Sequence, residues 1–415
     1  MNVYPMFKED RYWNFIPRIS QLIESKGPID RLDFDLVAVD EAIEKRYKTT
    51  INHSYFLQEV DKLWIVPTGY CEGGCTYCSV KDNWKYDSYL TPETLEKALD
   101  VNNITDLKQV YILGGEPVAN LPAFKKMVMY IRNRFNKCQI AATTSLFYSD
   151  EIFLEFLDFC LVSNTDFAVS FDPKDGEFYS RRYLKNDTFQ FLLDRIDIIL
   201  KKRDRVALRA TITKGNVDIF NAIKHIDQRK LSILIEPAKY NLKLMPTKEE
   251  MGLLKEKAQD YLKLYLTDKN IEWYKVPAPF NFMIQNNILS NIVKGCDMGK
   301  NRLTVYWDGK VNLCPEEDFD NVHKKIYVKN RDDLEFAYHA GFKSCQTCDI
   351  NGICHGSCAR GMRENEASME AFCDWQRFCA IEGMKIRVFR NTQEELRELS
   401  KLNMEFFGLS HAVLR

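Results

Sequence analysis

From Leu63 to Lys239 the chain repeats one pattern six times: a short apolar run, then a longer segment with helical spacing. The runs begin at Leu63, Gln109, Gln139, Asp166, Arg205 and Leu231. They are brief and rich in valine, isoleucine and threonine, as buried strands are. Between them, apolar residues return every three or four positions. Phe124, Met127, Val128 and Ile131 form one such stripe, and Phe191, Leu192, Ile196 and Ile199 another. Thr91 is an N-cap, with Pro92 at the first helical position and Glu93 beside the positive helix end. Strands alternating with helices predict an α/β protein whose helices are the crossovers of a parallel sheet.

Around this block the organisation is read as follows. Residues 1–60 are an amino-terminal helical extension of unassigned role, with helices near Trp13–Glu24 and Asp40–Tyr47 and little strand signal. Residues 61–270 hold the repeated units and end with an amphipathic helix over Lys248–Thr267; 271–295 is a connector marked by Pro277 and Pro279. Residues 296–385 are rich in cysteine and turns, so their order is expected from metal rather than a large core; 386–415 read as a charged carboxyl-terminal helix. With 58 basic against 59 acidic residues the net charge is −1, which argues against broad electrostatic binding to nucleic acid. No stretch approaches the apolar run of about 18 residues that would span a membrane. The amino terminus lacks a signal-peptide pattern, and the expected compartment is the cytoplasm.

In that compartment thiols stay reduced, so the 13 cysteines read as ligands or buried side chains rather than disulfides. Cys138 and Cys160 stand alone in apolar surroundings and read as buried. Cys71, Cys75 and Cys78 share one loop after the first strand, with Gly73 and Gly74 allowing the backbone to fold closely. Soft thiolates suit an iron–sulfur cluster, and three of them leave one iron of a four-iron cluster open. A zinc knuckle would need a nearby fourth ligand, and no cysteine or histidine follows Cys78 until Cys138.

The triplet, with Tyr77 just before its last cysteine, resembles the hallmark of the radical S-adenosylmethionine (radical SAM) superfamily. The resemblance implies a partial (β/α)6 TIM-like barrel with its active site at the carboxyl ends of the strands. It also implies a four-iron, four-sulfur cluster on Cys71, Cys75 and Cys78 whose open iron chelates S-adenosylmethionine. One electron then cleaves that molecule to methionine and a 5′-deoxyadenosyl radical. Gly114, Gly115 and Glu116, in the segment LGGEP, resemble the family motif that holds the methionyl amino group. Ser170 matches a position that contacts the bound S-adenosylmethionine, and Arg182, or its neighbour Arg181, is a partner for its carboxylate. Thr144 and Ser145 stand where the family often has Asn-Gly; these polar residues equally suit loop or capping roles.

Cys296, Cys314, Cys345, Cys348, Cys354, Cys358 and Cys373 follow an order that resembles the SPASM extension of this superfamily, which carries two auxiliary four-iron clusters. The resemblance assigns Cys296, Cys314 and Cys358 to the first, and Cys345, Cys348, Cys354 and a final cysteine to the second. Cys373 and Cys379 both suit that last place. A zinc ribbon on Cys345, Cys348, Cys354 and Cys358 is the alternative, and His355 has no assigned role. The implied activity is oxidative crosslinking or dehydrogenation of a peptide or protein side chain, with flavodoxin or ferredoxin as electron donor. The alternatives are a sugar or cyclitol dehydrogenase and, from another class, a non-catalytic iron–sulfur or zinc protein. Peptide maturases of this kind often carry an amino-terminal leader-binding domain, for which the first 60 residues read as short and strand-poor. Sulfatase-maturing members have an acidic residue directly after the position of Cys314, where this chain has Pro315; Glu316, Glu317 and Asp318 follow. No residue is assigned as catalytic acid or base. Trp84, Tyr86 and Phe147 suit either a substrate cavity or packing.

Overall fold

The computed structural model describes residues 2–17, 21–29, 60–73, 75, 77–78, 88–171, 173–174, 177–178, 189–214, 216–224, 231–238, 244–268, 270–271, 276–278, 280, 301–312, 314–315, 348–350, 354 and 370–398. Two compact units share the chain: residues 1–55, 247–296 and 335–415 form one, and 56–246 with 297–334 the other. The first unit opens with β1 (Tyr4–Lys8), β2 (Arg11–Ile16) and β3 (Gln21–Ser25), an antiparallel sheet in that order. The helix expected over Trp13–Glu24 is therefore two strands. Aromatic residues favour the pleated surface, and the two-residue connection Glu9-Asp10, with Glu9 at φ 58°, turns β1 onto β2. The second expected helix, Asp40–Tyr47, lies outside the described residues.

The second unit contains all six expected strands: β4 (Lys62–Val66), β5 (Gln109–Ile112), β6 (Gln139–Thr144), β7 (Thr165–Ser170), then, after the two-residue hairpin β8 (Pro173–Lys174) and β9 (Glu177–Phe178), β10 (Val206–Ile212) and β11 (Leu231–Pro237). Their crossovers carry α1 (Pro92–Val101), α2 (Leu121–Arg134), α3 (Asp150–Val162), α4 (Phe189–Lys202) and α5 (Ile219–Lys224). Parallel neighbours run β4, β5, β6, β7, β10, β11, so sheet order follows chain order, as in a βα barrel rather than a doubly wound sheet. The sheet is a partial barrel: β12 (Arg302–Tyr306) extends it in parallel beside β4, and β13 (Val311–Asn312) closes that edge antiparallel. Sequence reading did not pick out β12, because its five residues sit within the cysteine-rich stretch. Arg302 nonetheless stacks over Trp64, 3.9 Å from the ring centroid.

Strand alternation gives the sheet two different faces. Ile65, Ile112, Ala142, Val169, Ala210 and Ile235 are buried, and the helices supply a matching core in which Phe156 of α3 lies 5.1 Å from Phe167 of β7 and 5.7 Å from Phe124 of α2. On the opposite face Trp64, Tyr111, Thr143, Arg209 and Glu236 are half-buried. Tyr111 bonds Thr143, and Arg209 Nη1 donates to the Tyr111 hydroxyl at 2.7 Å. An ordinary barrel fills this interior with branched apolar residues; a polar, partly open interior leaves room for a ligand.

The first unit continues with α6 (Lys248–Thr267), opened by a capping box between Thr247 and Glu250, and α7 (Glu370–Arg390). The helix expected to end the barrel segment thus belongs with the amino-terminal sheet. Helix α7 also corrects the expectation of a metal-ordered stretch lacking periodicity. Its Trp375 and Phe378 pack against Phe280, and Ala380, Met384 and Val388 share a core with Met6, Trp13, Phe15, Leu22, Ile350 and Leu396. The apolar partners come from the far end of the chain, beyond the reach of a local pattern. Lys8, 6% exposed, donates Nζ to the carbonyls of Val388 and Asn391, where a cation suits the negative helix end. The helix breaks there, and Thr392 and Glu395 cap a new turn over 393–398. Among the described residues, no helix is long and apolar enough to cross a membrane.

Phe156 is fully buried between two helices and the sheet. Phe156→Ala is expected to lower unfolding free energy by about 3–5 kcal/mol, read from urea denaturation of the purified protein.

Candidate active site

The loops after β4, β5 and β6 are tied together by backbone and carboxylate bonds. Leu113 N donates to Ile65 O and Glu116 N to Tyr70 O, each at 2.8 Å. Gly114 and Gly115 have φ of 85° and 49°, a region that disfavours side chains. A Cβ on Gly115 would stand 2.5 Å from Tyr70 O and 2.6 Å from Thr68 O, so only glycine lets this loop lie against the chain entering the cysteine triplet. Tyr89 completes the floor by donating its hydroxyl to Pro117 O at 2.7 Å.

Glu116 is buried and bridges to the end of β6. Its Oε1 accepts from Thr144 Oγ1 at 2.8 Å and Val118 N at 3.1 Å, while Oε2 accepts from Ser145 N at 2.9 Å and Ser145 Oγ at 2.8 Å. Four protein donors fill the acceptor sites of one carboxylate, so Glu116 is a brace, and an ammonium group would have to displace one of them. Thr144 and Ser145 spend their side chains on this brace. From the other side Arg195 of α4, 2% exposed, donates to Tyr148 O at 2.6 Å and Asp150 Oδ1 at 2.8 Å, and its guanidinium lies 4.0 Å from the Phe191 centroid. Burial, then the Glu116 carboxylate, holds the phenols of Tyr89 and Tyr148 well above their ordinary range.

The triplet lies on the adjoining loop: Cys75 is buried, Cys78 half-buried, and Cys71 exposed as a residue although its sulfur is surrounded by protein atoms. Its thiol is pushed up to about 12, first by desolvation, then by Glu116, with Cys75 and Cys78 adding to the effect. The Gly73 N–H, 3.3 Å from the sulfur, acts in the opposite direction. Among the described residues no three acidic, cysteine or histidine side chains converge on one ion. Tyr77 is half-buried beside Cys78, and Ser170 is buried as the last residue of β7. Arg181, Arg182, Trp84 and Tyr86 lie outside the described residues, while Phe147 stacks on Phe191 at 5.5 Å and so packs as a loop anchor.

Of the second cysteine set, Cys296, Cys345 and Cys358 lie outside the described residues. Cys314 is buried, and its carbonyl accepts from the Tyr306 hydroxyl at 3.1 Å. Cys348 and Cys354 are half-buried against the apolar core of the first unit, and Cys354 N donates to Ile350 O at 2.9 Å. On α7 the two candidates for the final ligand differ. Cys379 is fully buried and desolvation holds its thiol well above the ordinary range, whereas Cys373 is half-buried and four residues before Arg377, on one helix face. Arg377 donates Nη2 to Cys348 Sγ at 3.9 Å. Sequence reading missed Arg377, Asp349 and Arg195, since nothing local distinguishes them from surface charges. Cys138 and Cys160 are buried as expected, their thiols raised to about 11 and about 12 by desolvation.

Residues 65–224 match the model of the radical SAM superfamily. No curated protein sequence matches the chain. Among solved structures, native anSMEcpe with bound AdoMet and Cp18Cys peptide shares 17% identity at a TM-score of 0.57, over 82% of this chain and 99% of that one. Streptococcus suis SuiB bound to precursor peptide SuiA shares 14% identity at a TM-score of 0.52, over 79% of this chain and 77% of that one. The same protein bound to S-adenosylmethionine has a TM-score of 0.53 at 13% identity, over 78% and 79% of the two chains. At these identities the likeness is one of fold.

The close approach at Gly115 gives a direct test. Gly115→Ala is expected to push the Leu113–Pro117 loop off Tyr70 and reduce iron bound after anaerobic reconstitution several-fold relative to wild type, measured by colorimetric iron and sulfide assay. Ala119→Gly, on the same loop, is expected to leave iron content unchanged.

Proposed function

The chain carries a radical SAM domain over residues 65–224, and from that premise we propose an enzyme that oxidatively modifies a peptide or protein side chain. The observation that supports it most is the fixing of the Gly114–Glu116 loop against the entry to the cysteine triplet, through the Glu116 N to Tyr70 O bond and the Gly115 contact. That arrangement sets the three cysteines on the loop adjoining the half-buried Gly114–Gly115 segment at the carboxyl ends of β4 and β5. Cys71, Cys75 and Cys78 would hold the four-iron cluster, with Gly114, Gly115, Glu116, Ser170, Tyr77 and Arg182 around S-adenosylmethionine. Bound there, these groups supply one-electron cleavage of the sulfonium and a carbon radical able to abstract hydrogen. The protein's own part is to position. Glu116 locks the β5 and β6 loops, and Arg195 locks the β6 loop to α4.

A peptide substrate is supported by the fold shared with anSMEcpe and SuiB, both described with bound peptides, over about four-fifths of this chain. The sheet β1–β3 also removes the objection that the amino terminus is strand-poor. In the half-buried sheet interior, Arg209 and Glu236 stand 3.9 Å apart, offering a donor and an acceptor to amide groups. Cys296, Cys314 and Cys358, and Cys345, Cys348, Cys354 and Cys373, would hold two auxiliary clusters of SPASM type. The position of Cys373 one helical turn before Arg377, which bonds Cys348, favours it over the fully buried Cys379 as last ligand. Such clusters accept the electron left when a substrate radical becomes a product, and a flavodoxin or ferredoxin would deliver the electron that starts turnover.

Anaerobically reconstituted protein, given dithionite and S-adenosylmethionine, is expected to release 5′-deoxyadenosine, read by liquid chromatography. The variant Cys71→Ala, Cys75→Ala, Cys78→Ala is expected to release none. Equal release by both, or none by wild type with full iron, would overturn the enzyme reading. Synthetic short peptides encoded beside the gene are then expected to lose hydrogen by mass spectrometry; turnover of sugar alcohols instead would overturn the peptide assignment.

A further inference from the structure

Next to Cys348 stands a polar network that the reaction described above does not use. Asp349 Oδ1 accepts from Arg377 Nε at 2.8 Å, and Oδ2 accepts from Asn2 Nδ2 at 2.9 Å and from the Tyr4 hydroxyl at 3.2 Å. The other arm of the Arg377 guanidinium, Nη2, donates to Cys348 Sγ. One arginine therefore spans a carboxylate and a sulfur, and two residues at the start of the chain hold that carboxylate from the other side. The backbone of the same turn is fixed independently. Ile350 is 2% exposed within the core shared by Met6, Trp13, Phe15 and α7, and Cys348 and Cys354 pack on that core.

We propose that Arg377 and Asp349 are positioning residues for an auxiliary iron–sulfur cluster held through Cys348, Cys354 and Cys373, and that the amino-terminal sheet is the scaffold that fixes them. The inference rests on the iron–sulfur reading of the carboxyl-terminal cysteines. Arg377 lies one helical turn beyond Cys373 on the same face of α7, so its bond to Cys348 turns that face toward the Cys348–Cys354 turn. An N–H donor at a ligating sulfur stabilises the reduced, more negative cluster more than the oxidised one; the guanidinium charge itself is paired with Asp349, whose Oδ1 lies 3.9 Å from the same sulfur, so the effect is that of the hydrogen bond. Arg377 thus raises the reduction potential of the cluster. Asp349 keeps the guanidinium in its plane, and Tyr4 and Asn2 keep Asp349 in place. Arginine suits this role because its rigid fork serves two acceptors at once, which a lysine ammonium does less well.

The test uses the full chain in the Cys71→Ala, Cys75→Ala, Cys78→Ala background, which removes the first cluster and leaves any auxiliary iron alone. After anaerobic reconstitution, iron and sulfide are counted and the potential is titrated by electron paramagnetic resonance. Adding Arg377→Gln is expected to shift the reduced-to-oxidised ratio of one cluster at least tenfold toward oxidised, about 59 mV for one electron. Arg377→Lys is expected to shift it less, and Tyr4→Phe, which removes one bond to Asp349, to shift it in the same direction by a smaller step. Unchanged midpoints in Arg377→Gln and Tyr4→Phe at full iron content would overturn the proposal while leaving the cluster reading intact. Absence of iron–sulfur signal in the background variant would overturn the cluster reading itself, and the proposal with it. If Arg377→Gln does not fold, Tyr4→Phe and Arg377→Lys decide the question on the same titration.

Discussion

The hydrogen bond from Glu116 N to Tyr70 O joins the loops after β4 and β5, and the site around the cysteine triplet depends on it. It forms because Gly115 takes a positive φ and presents no Cβ to the carbonyls of Thr68 and Tyr70. The Glu116 side chain then extends the same connection one strand further, to Thr144 and Ser145 at the end of β6. Three consecutive crossovers are fixed to one another at the carboxyl end of the sheet by hydrogen bonds among Tyr70, Glu116, Thr144 and Ser145. Parallel strands alone fix spacing and direction but leave their loops free. The brace converts three loops into one surface.

The barrel half of this architecture was legible because its signals are local. Each strand of this sheet keeps one face apolar along its length, and a crossover helix announces itself by spacing and caps, as Thr91 with Pro92 does. The cysteine triplet and LGGEP were legible for a related reason: each carries its chemistry in a handful of consecutive residues. What Glu116 does with its carboxylate was not. A glutamate beside two glycines suggests a ligand contact, whereas the fold spends all of its acceptor sites on neighbouring loops. Its partners lie 28 and 29 residues away, and only the pairing of β5 with β6 brings them close.

The other unit shows the opposite limit. Residues Trp13–Glu24 contain enough apolar side chains at mixed spacing to read as a helix, and the deciding evidence is a partner surface on α7 and on Ile350. The cysteine-rich stretch had the complementary problem. It looked core-poor because its apolar partners Met6, Trp13 and Phe15 are encoded more than 300 residues earlier. Nothing local in the sequence marks Lys8 or Asp349 either, yet one is buried at the end of α7 and the other binds Asn2 and Tyr4. Sequence patterns report what a segment could bury; they say little about where the complementary surface is written.

Lys8 reaches Val388 across 380 residues of chain, and Tyr4 reaches Asp349 across 345. The second unit, by contrast, is built mainly from consecutive βα repeats. During synthesis the barrel strands therefore find their partners in order, while Trp13, Phe15 and Leu22 wait, without their core, until α7 leaves the ribosome. Closing so long a loop is slow and leaves apolar surface open to misassociation in the interval. The strands β1–β3 and helix α7 therefore fold as a single event, later than the pairing of the barrel strands.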